Sequence, residues 1–365
     1  MYSDFDRQCM SRAFELARLG LYTTDPNPRV GCVLAREGAI VGEGWHRRAG
    51  GRHAEVHALE KAGDAAQGAT AYVTLEPCSI SGRTGPCTEA LIEARVSRVI
   101  AAVRDPNPRV DGSGLARLRE AGIAVSQGLE QSSATVLNPG FTMRMRHGRP
   151  WVRVKLALSL DGRSALSSGV SQWITGPESR ADVQHWRARS SAVLTGIGTL
   201  LADDPSLNVR LDAVQRQPAR IIVDSRWRTP PTARTMALPG KVIVAGREDL
   251  PIPSELKKVA ECLPVGASTD GNVCLRALMK ELAAREINEL QVEAGATLAG
   301  GFLHAELMDE LLIYQAPLIL GSGARGAFDT PLLKSMSDRY ELNCADRAPL
   351  GDDLRIRYLV KREAG

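Results

Sequence analysis

The sequence predicts two α/β domains, and three observations support this prediction. The chain has 365 residues, which is long for one compact domain. In both halves, short apolar runs alternate with amphipathic segments, as expected for sheets covered by helices on both faces. Between the halves, residues 144–150 (Arg-Met-Arg-His-Gly-Arg-Pro) are basic, contain a glycine and a proline, and show no periodicity. We therefore expect a linker there, with domains of residues 1–149 and 150–365.

The first half begins with an amphipathic segment and then alternates between strands and helices. In chain order we expect a helix over 6–21, strands over 30–34 and 40–44, a helix over 54–62, a strand over 71–75, a helix from about residue 88 and a strand over 98–103. Turn-forming Pro and Asn at 25–28 and a glycine at 38 separate the first of these elements.

The second half repeats this alternation up to the C-terminus. We expect strands over 151–157, 192–195, 220–224, 241–245, 289–293 and 311–316. Residues 321–326 match the letters of a G-x-G-x-x-G dinucleotide fingerprint, but Asp329 and Pro331 follow closely, so we expect a loop and no Rossmann domain. The stretch 295–301 is a better cofactor site, because it follows a predicted strand and leads into a helix through about Leu307. Backbone N–H groups at a helix N-terminus suit a pyrophosphate.

Composition and charge exclude several functional classes. The 46 basic and 42 acidic residues give a net charge of +4 and are interspersed, without the Lys/Arg tracts of nucleic-acid-binding proteins. No apolar run approaches the ~20 residues that a membrane-spanning helix needs, and the first residues lack the pattern of a signal peptide. Seven scattered cysteines argue against a secreted disulfide framework. We expect a cytoplasmic protein that binds neither membranes nor nucleic acid.

Three residues of the first half have the chemistry of a catalytic zinc site. His53, Cys78 and Cys87 offer one imidazole and two thiolates, and catalytic zinc takes three protein ligands with a fourth position open for water. Cys87 precedes a predicted helix, whose N-terminus favours the thiolate. Glu55 is close enough to His53 to reach the metal-bound water without being a ligand. This layout is typical of zinc deaminases, in which a glutamate moves protons while the metal activates water for attack on an amidine carbon.

Other interpretations of these residues stay open at this point. The cysteines can hold a structural zinc or be ordinary buried thiols, and the whole protein can be a non-catalytic zinc-binding module, which the intact Glu55 opposes. His57 imitates a further ligand, but with three ligands already supplied we expect it on a helix face. The main alternative is a nucleic-acid or nucleoside base deaminase with an appended non-reductase domain. Such enzymes usually have Pro-Cys-x-x-Cys, with the cysteines three positions apart, whereas Cys87 lies nine positions after Cys78.

One short sequence occurs twice in the first half. Asp-Pro-Asn-Pro-Arg-Val is found at residues 25–30 and again at 105–110. Two copies do not make a solenoid repeat. Because proline and asparagine form turns, two similar turns are the simplest interpretation, and this holds better for the second copy than for the first.

Motifs along nearly the whole chain resemble one family of enzymes. In the first half these motifs are Pro26-Asn27-Pro28-x-Val30-Gly31-Cys32-Val33, Gly42-x-Gly44-Trp45-His46, Gly68-Ala69-Thr70-Ala71-Tyr72-Val73-Thr74, Glu76-Pro77-Cys78-Ser79, Gly82-Arg83-Thr84 and Pro86-Cys87. In the second half they are Lys155-Leu156-Ala157-x-Ser159-Leu160-Asp161-Gly162, Ser171-Gln172-Trp173-Ile174-Thr175, Leu201-Ala202-Asp203-Asp204-Pro205 and Val292-Glu293-Ala294-Gly295. With them the chain resembles the bifunctional diaminohydroxyphosphoribosylaminopyrimidine deaminase/5-amino-6-(5-phosphoribosylamino)uracil reductases of riboflavin biosynthesis. It departs from that pattern at Ile80 and Gly85, where the family usually has His and Pro.

The resemblance implies a fold and a function for each half. It implies a cytidine-deaminase-like α/β/α domain followed by a dihydrofolate-reductase-like α/β domain. The first domain, with one Zn²⁺ per chain, would deaminate 2,5-diamino-6-(5-phosphoribosylamino)pyrimidin-4-one. The second would use NADPH to reduce the ribosyl side chain of the product to ribityl. The partner is then a small phosphoribosylaminopyrimidine, and we expect a homo-oligomer, either a dimer or a tetramer.

The resemblance also implies individual contacts. In the deaminase half, Asn27, His46 and Arg83 would contact the substrate, although Asn27 also suits a turn, His46 the end of a strand and Arg83 a solvated position. The implied NADPH contacts are Ala157, Trp173, Thr199, Asp203, Ser225, Gly295, Ala296, Thr297, Leu298, Ala299, Gly300 and Gly301. The implied substrate contacts of the reductase half are Ser171, Arg187, Leu207, Arg210 and Glu293.

These residue types suit the reductase chemistry. Arg187 and Arg210 are able to bind the ribose 5-phosphate by charge-assisted hydrogen bonds. Ring opening of the ribose exposes an electrophilic C1′, which takes a hydride from NADPH while another group supplies a proton. We expect Asp203 to supply or position that proton, although Asp203-Asp204-Pro205 also suits a simple turn.

Overall fold

The computed structural model describes residues 2–80, 85–212, 214 and 216–361. The chain divides into two compact units, Met1–Gly148 and Arg149–Gly365, so the break falls one residue before the expected boundary. Both units combine helices with a sheet, as the sequence predicts. Within the described part of the chain, every helix is too short or too polar to cross a bilayer.

The first unit is a five-stranded sheet with helices on both faces. Its helices are α1 (Asp4–Arg18), α2 (Ala54–Ala62), α3 (Cys87–Glu93), α4 (Ser113–Glu120), α5 (Gln131–Leu137) and α6 (Pro139–His147). Its strands are β1 (Gly31–Arg36), β2 (Ala39–Trp45), β3 (Thr70–Val73), β4 (Arg98–Ala101) and β5 (Ala124–Gln127). The sheet order is β2-β1-β3-β4-β5, and β3, β4 and β5 run parallel. The carboxyl ends of these three strands therefore meet at one edge.

Two glycines in β2 let α2 pack unusually close to the sheet. A Cβ atom at Gly44 would lie 2.3 Å from the carbonyl oxygen of Ala54, and one at Gly42 would lie 2.3 Å from that of Ala58. Any side chain at either position would push the helix away from the strand. The close approach fixes the first turn of α2, which follows His53 and carries Glu55.

The segment expected to be a linker is largely helical. Helix α6 continues through Arg144 to His147, and only residues 148–150 lie outside regular structure. Basic side chains in the last turn favour the helix C-terminus, and Gly148 ends the helix with a left-handed φ of 63°. The linker prediction was wrong for residues 144–147, because a basic segment without apolar periodicity is equally compatible with an exposed helical turn.

The second unit contains a nine-stranded sheet. Its helices are α7 (Pro177–Arg189), α8 (Ile197–Asp203), α9 (Ser254–Val259), α10 (Leu275–Ala284) and α11 (Ala296–His304). Its strands are β6 (Trp151–Leu158), β7 (Arg163–Ala165), β8 (Ala192–Gly196), β9 (Ala219–Val223), β10 (Val242–Arg247), β11 (Glu261–Val265), β12 (Glu289–Val292), β13 (Glu310–Gln315), β14 (Arg325–Gly326), β15 (Leu342–Leu350) and β16 (Asp353–Val360).

The order of the large sheet is β11-β10-β9-β8-β12-β6-β13-β16-β15. The strands from β11 to β13 are parallel, and they include all six strands predicted for this half. The last two strands form an antiparallel hairpin at the sheet edge, which was not predicted because polar residues interrupt both strands. Residues 321–326 form a loop that ends in the two-residue strand β14, so the Rossmann interpretation was rightly rejected.

Charged side chains fasten α7 to this sheet. Nε of Arg189 lies 3.0 Å from Oε2 of Glu289 on β12, and Nη2 of Arg153 on β6 lies 3.1 Å from the same oxygen. The Arg153 guanidinium also lies 4.6 Å from the centre of the Trp186 ring. Arg153 and Glu289 are almost completely buried, so this helix is attached by paired charges as well as by apolar contacts.

The first residue of the second unit is anchored within that unit. Nη1 and Nη2 of Arg149 each lie 2.7 Å from a carboxylate oxygen of Asp309. The Asp309 side chain is 2% exposed and also accepts a hydrogen bond from the backbone N–H of Val152. Arg149 therefore belongs structurally to the second unit.

We predict that a fragment of residues 149–365 is more stable than one of residues 150–365. The shorter fragment leaves buried Asp309 without its guanidinium, although the Val152 amide still donates to it. Removing one partner of a buried ion pair typically costs about 3–5 kcal/mol, and the remaining hydrogen bond sets our expectation at the lower end. Chemical denaturation measures the difference, and equal free energies of unfolding would contradict the prediction.

The same fragments test whether the second unit is self-contained. Every expected NADPH contact lies within residues 150–365. Both fragments should therefore bind NADPH with the affinity of the full chain, measured by calorimetry. A folded fragment that does not bind it would show that the cofactor site or the domain boundary is misplaced.

Candidate active sites

The three expected zinc ligands converge in the first unit. His53 is the residue immediately before α2, Cys78 lies in the loop after β3, and Cys87 is the first residue of α3. Nδ1 of His53 lies 3.0 Å from Sγ of Cys87 and 3.5 Å from Sγ of Cys78, and the two sulfurs are 3.5 Å apart. Their ligand atoms all lie within 4.8 Å of one another, and within the described ranges they form the one such cluster.

This donor set fits zinc. One imidazole and two thiolates are the ligands that zinc takes in catalytic sites, and they leave a fourth position open. The contact with the Cys87 thiol, together with the His53 ring, lowers the pKa of Cys78, so one sulfur is readily available as a thiolate. His57, the rival ligand, lies outside the cluster, with Nδ1 3.6 Å from Oε2 of Glu60.

Glu55 lies beside this cluster and is 3% exposed. Its Oε2 atom is buried and has no hydrogen-bond partner among the described residues. Burial raises the pKa of the Glu55 carboxyl, which brings its proton affinity closer to that needed for proton transfer near neutral pH. The position and environment of Glu55 are those of a general acid–base that is not a ligand.

Asn27 and His46 form a pair next to the cluster. Nδ1 of His46 lies 3.0 Å from the carbonyl oxygen of Arg52, so this nitrogen carries the proton and donates. Nε2 then accepts from Nδ2 of Asn27 at 3.1 Å. Burial lowers the pKa of the His46 ring, which is consistent with this neutral form. The pair fixes the Asn27 amide with Oδ1 left to accept a hydrogen bond; the third expected contact, Arg83, lies outside the described residues.

The His46 and His53 rings are in edge-to-face contact, with centroids 5.3 Å apart. The Asn27–His46 pair is therefore directly adjacent to the cluster of expected zinc ligands. The second copy of the repeated sequence has a different local structure. Oδ1 of Asn107 accepts from the backbone N–H of Arg109 at 3.1 Å, so its side chain forms a local turn, as the sequence predicts for this copy.

In the second unit, Arg187 and Glu293 form a largely buried ion pair. Nε and Nη2 of Arg187 lie 2.7 and 2.8 Å from the two carboxylate oxygens of Glu293, and Nη1 donates to the carbonyl of Asn208. Burial opposes ionisation of Glu293, but the guanidinium outweighs it and lowers the pKa of this carboxyl to about 2. Gln291 donates to Oε1 of Glu293 at 2.8 Å. The Glu293 carboxylate is thus ionised and held in one orientation.

Two other expected substrate contacts adjoin this pair. Leu207 is buried with a left-handed φ of 54°, and Arg210 follows it at the surface. The backbone N–H of Arg210 donates to Oε1 of Gln184, while its Nη1 makes only a long contact of 3.4 Å with Oδ1 of Asn208. Arg210 is therefore the cation of this region whose guanidinium remains most available to an anionic ligand.

Two helix N-termini lie side by side at the expected cofactor site. Gly196 precedes α8 and Gly295 precedes α11, and a Cβ atom at Gly196 would lie 3.3 Å from the Leu298 side chain. A Cβ atom at Gly198 or Gly295 would meet no atom within 4 Å, so backbone N–H groups here are open to a ligand. Uncrowded helix N-termini suit a pyrophosphate.

The remaining expected NADPH contacts are more dispersed. Ala296, Thr297 and Leu298 share the first turn of α11, Thr199 is in α8, and Gly301 is half-buried further along α11. Ala299 and Gly300 are buried within α11, and a Cβ atom at Gly300 would lie 1.9 Å from the Asp329 carbonyl oxygen, so these two face the interior. Ala157 lies on β6, and Ser225 follows β9, where its hydroxyl accepts from the Val273 amide.

Ser171 and Trp173 lie in the segment between β7 and α7. Ser171 is half-buried, whereas Trp173 is 69% exposed, and its ring faces the Arg180 guanidinium at 4.6 Å. An exposed indole of this size is available to stack on a planar ligand. The structure thus leaves both residues accessible to small molecules.

The structure distinguishes the two neighbouring carboxylates of the Asp-Asp-Pro motif. Asp203 is the last residue of α8 and is half-buried. Its carboxylate has no hydrogen-bond partner among the described residues. Asp204 has a left-handed conformation, and its Oδ1 accepts from the Arg234 amide at 2.8 Å. Asp204 is engaged in the local fold, so Asp203 is the better candidate for chemistry.

Sequence reasoning assigned no role to two residues of this region. Lys155 on β6 is partly buried, and burial lowers the pKa of its amine despite the nearby Glu293 carboxylate. Its Nζ lies 5.8 Å from the centre of the Tyr314 ring. The other is Gln291, which orients Glu293. Both residues could have been noticed in the sequence, because each is a polar side chain within a predicted strand, and strands of parallel sheets are usually apolar throughout.

Comparisons with known proteins find relatives of both halves of the chain. The family model described as RibD C-terminal domain matches residues 150–355, and the one described as cytidine and deoxycytidylate deaminase zinc-binding region matches residues 3–103. The riboflavin biosynthesis protein RibD of Escherichia coli is 48% identical over 366 residues, covering 97% of this chain and 99% of its own. That of Haemophilus influenzae is 47% identical and covers 99% of each chain.

Solved structures extend this similarity to the fold. Acinetobacter baumannii RibD superposes with a TM-score of 0.92 at 45% identity, covering 98% of this chain and 99% of that one. A Thermotoga maritima structure, described as a diaminohydroxyphosphoribosylaminopyrimidine deaminase/5-amino-6-(5-phosphoribosylamino)uracil reductase, has a TM-score of 0.87 at 32% identity with the same coverage. The expected fold classes, cytidine-deaminase-like and then dihydrofolate-reductase-like, are confirmed. The chain belongs to the RibD family of riboflavin-biosynthesis enzymes, and it carries a deaminase domain followed by a reductase domain.

Proposed function

We propose that the first domain deaminates 2,5-diamino-6-(5-phosphoribosylamino)pyrimidin-4-one and that the second reduces the ribosyl side chain of the product to ribityl. The observation that carries the proposal is the His53, Cys78 and Cys87 cluster with the buried Glu55 carboxylate beside it. The description of the Thermotoga maritima relative supports the choice of substrate. A base deaminase with a non-reductase domain is not favoured, because the second half matches the RibD C-terminal domain.

In the deaminase domain, His53, Cys78 and Cys87 would hold one Zn²⁺ per chain, which would supply Lewis-acid activation of a water molecule. Glu55 would take up a proton from the attacking water and return it to the departing amino group, a role that suits its buried Oε2, which has no partner among the described residues. Asn27, oriented by His46, presents Oδ1 to a hydrogen-bond donor of the substrate. His46 is on this account a positioning residue.

In the reductase domain, the N-termini of α8 and α11 would hold the pyrophosphate of NADPH, and the bound cofactor would supply the hydride. The Arg187 guanidinium already donates to Glu293 and to the Asn208 carbonyl, so we propose that it positions the Glu293 carboxylate. We propose that Arg210, whose guanidinium is more available, binds the substrate phosphate. Glu293, held ionised, accepts hydrogen bonds from substrate hydroxyl or N–H groups. Asp203 supplies or positions the proton that accompanies hydride transfer to C1′.

We propose further that the enzyme is a cytoplasmic homo-oligomer. All seven cysteines are free thiols, which is typical of a reducing compartment. Leu332 and Met336 are 89% and 77% exposed, and most residues of the edge strand β15 are exposed, so this region has apolar surface and unpaired backbone to offer a second copy. Sedimentation equilibrium tests the oligomer, and a monomer at micromolar concentration would contradict it.

An assay with the authentic pyrimidine tests the proposed function. Zinc-loaded protein should release ammonia from it and then oxidise NADPH. Chelation of zinc should abolish ammonia release, while NADPH oxidation with the deaminated pyrimidine continues, because the two reactions use different residues. Ammonia release from cytidine or a cytosine-containing oligonucleotide, with none from the pyrimidine, would favour the base-deaminase alternative.

We predict that Glu55→Gln retains zinc and loses deamination. Glutamine has nearly the shape of glutamate but cannot exchange a proton, so the rate should fall by ~10²–10⁴-fold, the usual range for a general acid–base residue. Metal content measured by atomic emission should stay at the parent value, and the reductase activity of the same protein serves as an internal control. Loss of zinc, or near-parental deamination, would show that Glu55 has another role.

We predict that Asp203→Asn lowers kcat of the reductase strongly and changes NADPH affinity far less. A carboxyl group that acts mainly in the transition state affects turnover more than ground-state binding. Asp204→Asn is the matched control, because this carboxylate already accepts the Arg234 amide, and it should have little effect on kcat. A larger effect of Asp204→Asn would reverse the assignment; no effect of either would mean that the proton comes from water or substrate.

A further inference from the structure

Glu76 is a buried glutamate in the loop that leads to Cys78, and the reaction described above does not use it. The side chain is nearly inaccessible, with 3% of the residue exposed. Its Oε2 accepts from the backbone N–H groups of Asp105 and Gly112, each at 3.0 Å, and its Oε1 accepts from those of Gly114 at 2.9 Å and Leu115 at 3.2 Å. One carboxylate therefore accepts hydrogen bonds from four backbone amides of a single later segment, residues 105–115.

The same segment packs directly on the backbone that carries Cys78. A Cβ atom at Gly114 would lie 1.9 Å from the carbonyl oxygen of Pro77, so these backbones are too close for any side chain at Gly114. The Thr88 amide of α3 also donates to the carbonyl of Cys78 at 3.2 Å. Residues 76–78 are thus held between the 105–115 segment and the start of α3.

We propose that Glu76 is a positioning residue of the zinc site. Its carboxylate fixes residues 76–78 against the 105–115 segment, and the rigid backbone in turn places Sγ of Cys78 within reach of His53 and Cys87. This proposal rests on the zinc site proposed above. It also gives the second Asp-Pro-Asn-Pro-Arg-Val copy a purpose, because Asp105 begins that copy and donates the first of the four hydrogen bonds.

The proposed role of Glu76 depends on both the acceptor chemistry and the length of the glutamate side chain. A backbone N–H needs an acceptor, and a carboxylate is an acceptor at both oxygens, whereas a glutamine would turn its own NH₂ towards two N–H donors. An aspartate keeps two acceptor oxygens but is one methylene shorter, so it cannot reach all four amides from the same backbone position. Each change leaves buried N–H groups without partners, which is costly. The loop around Cys78 should then lose its fixed geometry.

Zinc affinity of the full chain, measured by competition with a chromophoric chelator, tests this inference without any substrate. Partners that orient metal ligands typically contribute about 10–100-fold to metal affinity. We expect Glu76→Gln to weaken zinc binding by a factor in that range and Glu76→Asp to be intermediate. The matched control is Glu89→Gln. Oε1 of Glu89 on α3 accepts from Nε of Arg117 on α4 at 2.8 Å, and this glutamate does not contact the four amides. The zinc affinity of Glu89→Gln should stay within about twofold of the parent.

A purely structural role for Glu76 predicts a different result. The thermal midpoint of the metal-free protein would fall, but the zinc dissociation constants of both Glu76 variants would stay within about twofold of the parent, and that result overturns the proposal. If circular dichroism shows that Glu76→Gln does not fold, the zinc dissociation constant of Glu76→Asp relative to the parent decides between the two roles. A parent protein that binds zinc but does not release ammonia from the pyrimidine contradicts the proposed function alone, since the affinity comparison does not use the reaction.

Discussion

An ionised group inside a protein is tolerated only when other groups match its charge or its hydrogen bonds, and both domains are organised by this constraint. Glu76 is matched by four backbone amides, Asp309 by Arg149 and the Val152 amide, and Glu293 by Arg187. Glu55 differs, because one of its buried oxygens has no partner among the described residues. A buried carboxylate oxygen without such a partner is available to a metal-bound water or a substrate. The same contrast separates Asp203 from Asp204.

Much of this arrangement could be predicted from the sequence, and what escaped prediction has a common cause. The clustering of His53, Cys78 and Cys87 beside Glu55 could be predicted because their residue types and order are unusual and tied to one chemistry. Six of the seven parallel strands described in the reductase sheet were predicted because they are short apolar runs. By contrast, the Arg187–Glu293 pair joins residues 106 positions apart, and the His46 ring is oriented by a backbone carbonyl, so neither leaves a periodic signal. The helical residues 144–147 were missed because exposed helix turns and loops share the same polar composition.

The repeated hexapeptide shows how far local sequence can determine a role. In the first copy, the Asn27 amide reaches His46, and the pair borders the zinc ligands. In the second copy, Oδ1 of Asn107 accepts from the nearby Arg109 amide, and the segment serves as the support for Glu76. The same asparagine side chain thus pairs with a histidine ring in one copy and with a nearby backbone amide in the other. The difference comes from the partner that each copy meets in the folded chain.

The last turn of α7 carries two arginines that pair with glutamates near the two ends of β12. Arg187 pairs with Glu293 beyond its carboxyl end, and Arg189 pairs with Glu289 at its start. Losing Arg187 leaves the largely buried Glu293 without its guanidinium, which is destabilising, whereas Glu289 keeps Arg153 as a partner when Arg189 is lost. Arg187 and Glu293 are therefore expected to be epistatic. Across homologues this pair should covary more strongly than Arg189 and Glu289, because its single-step intermediates are selected against.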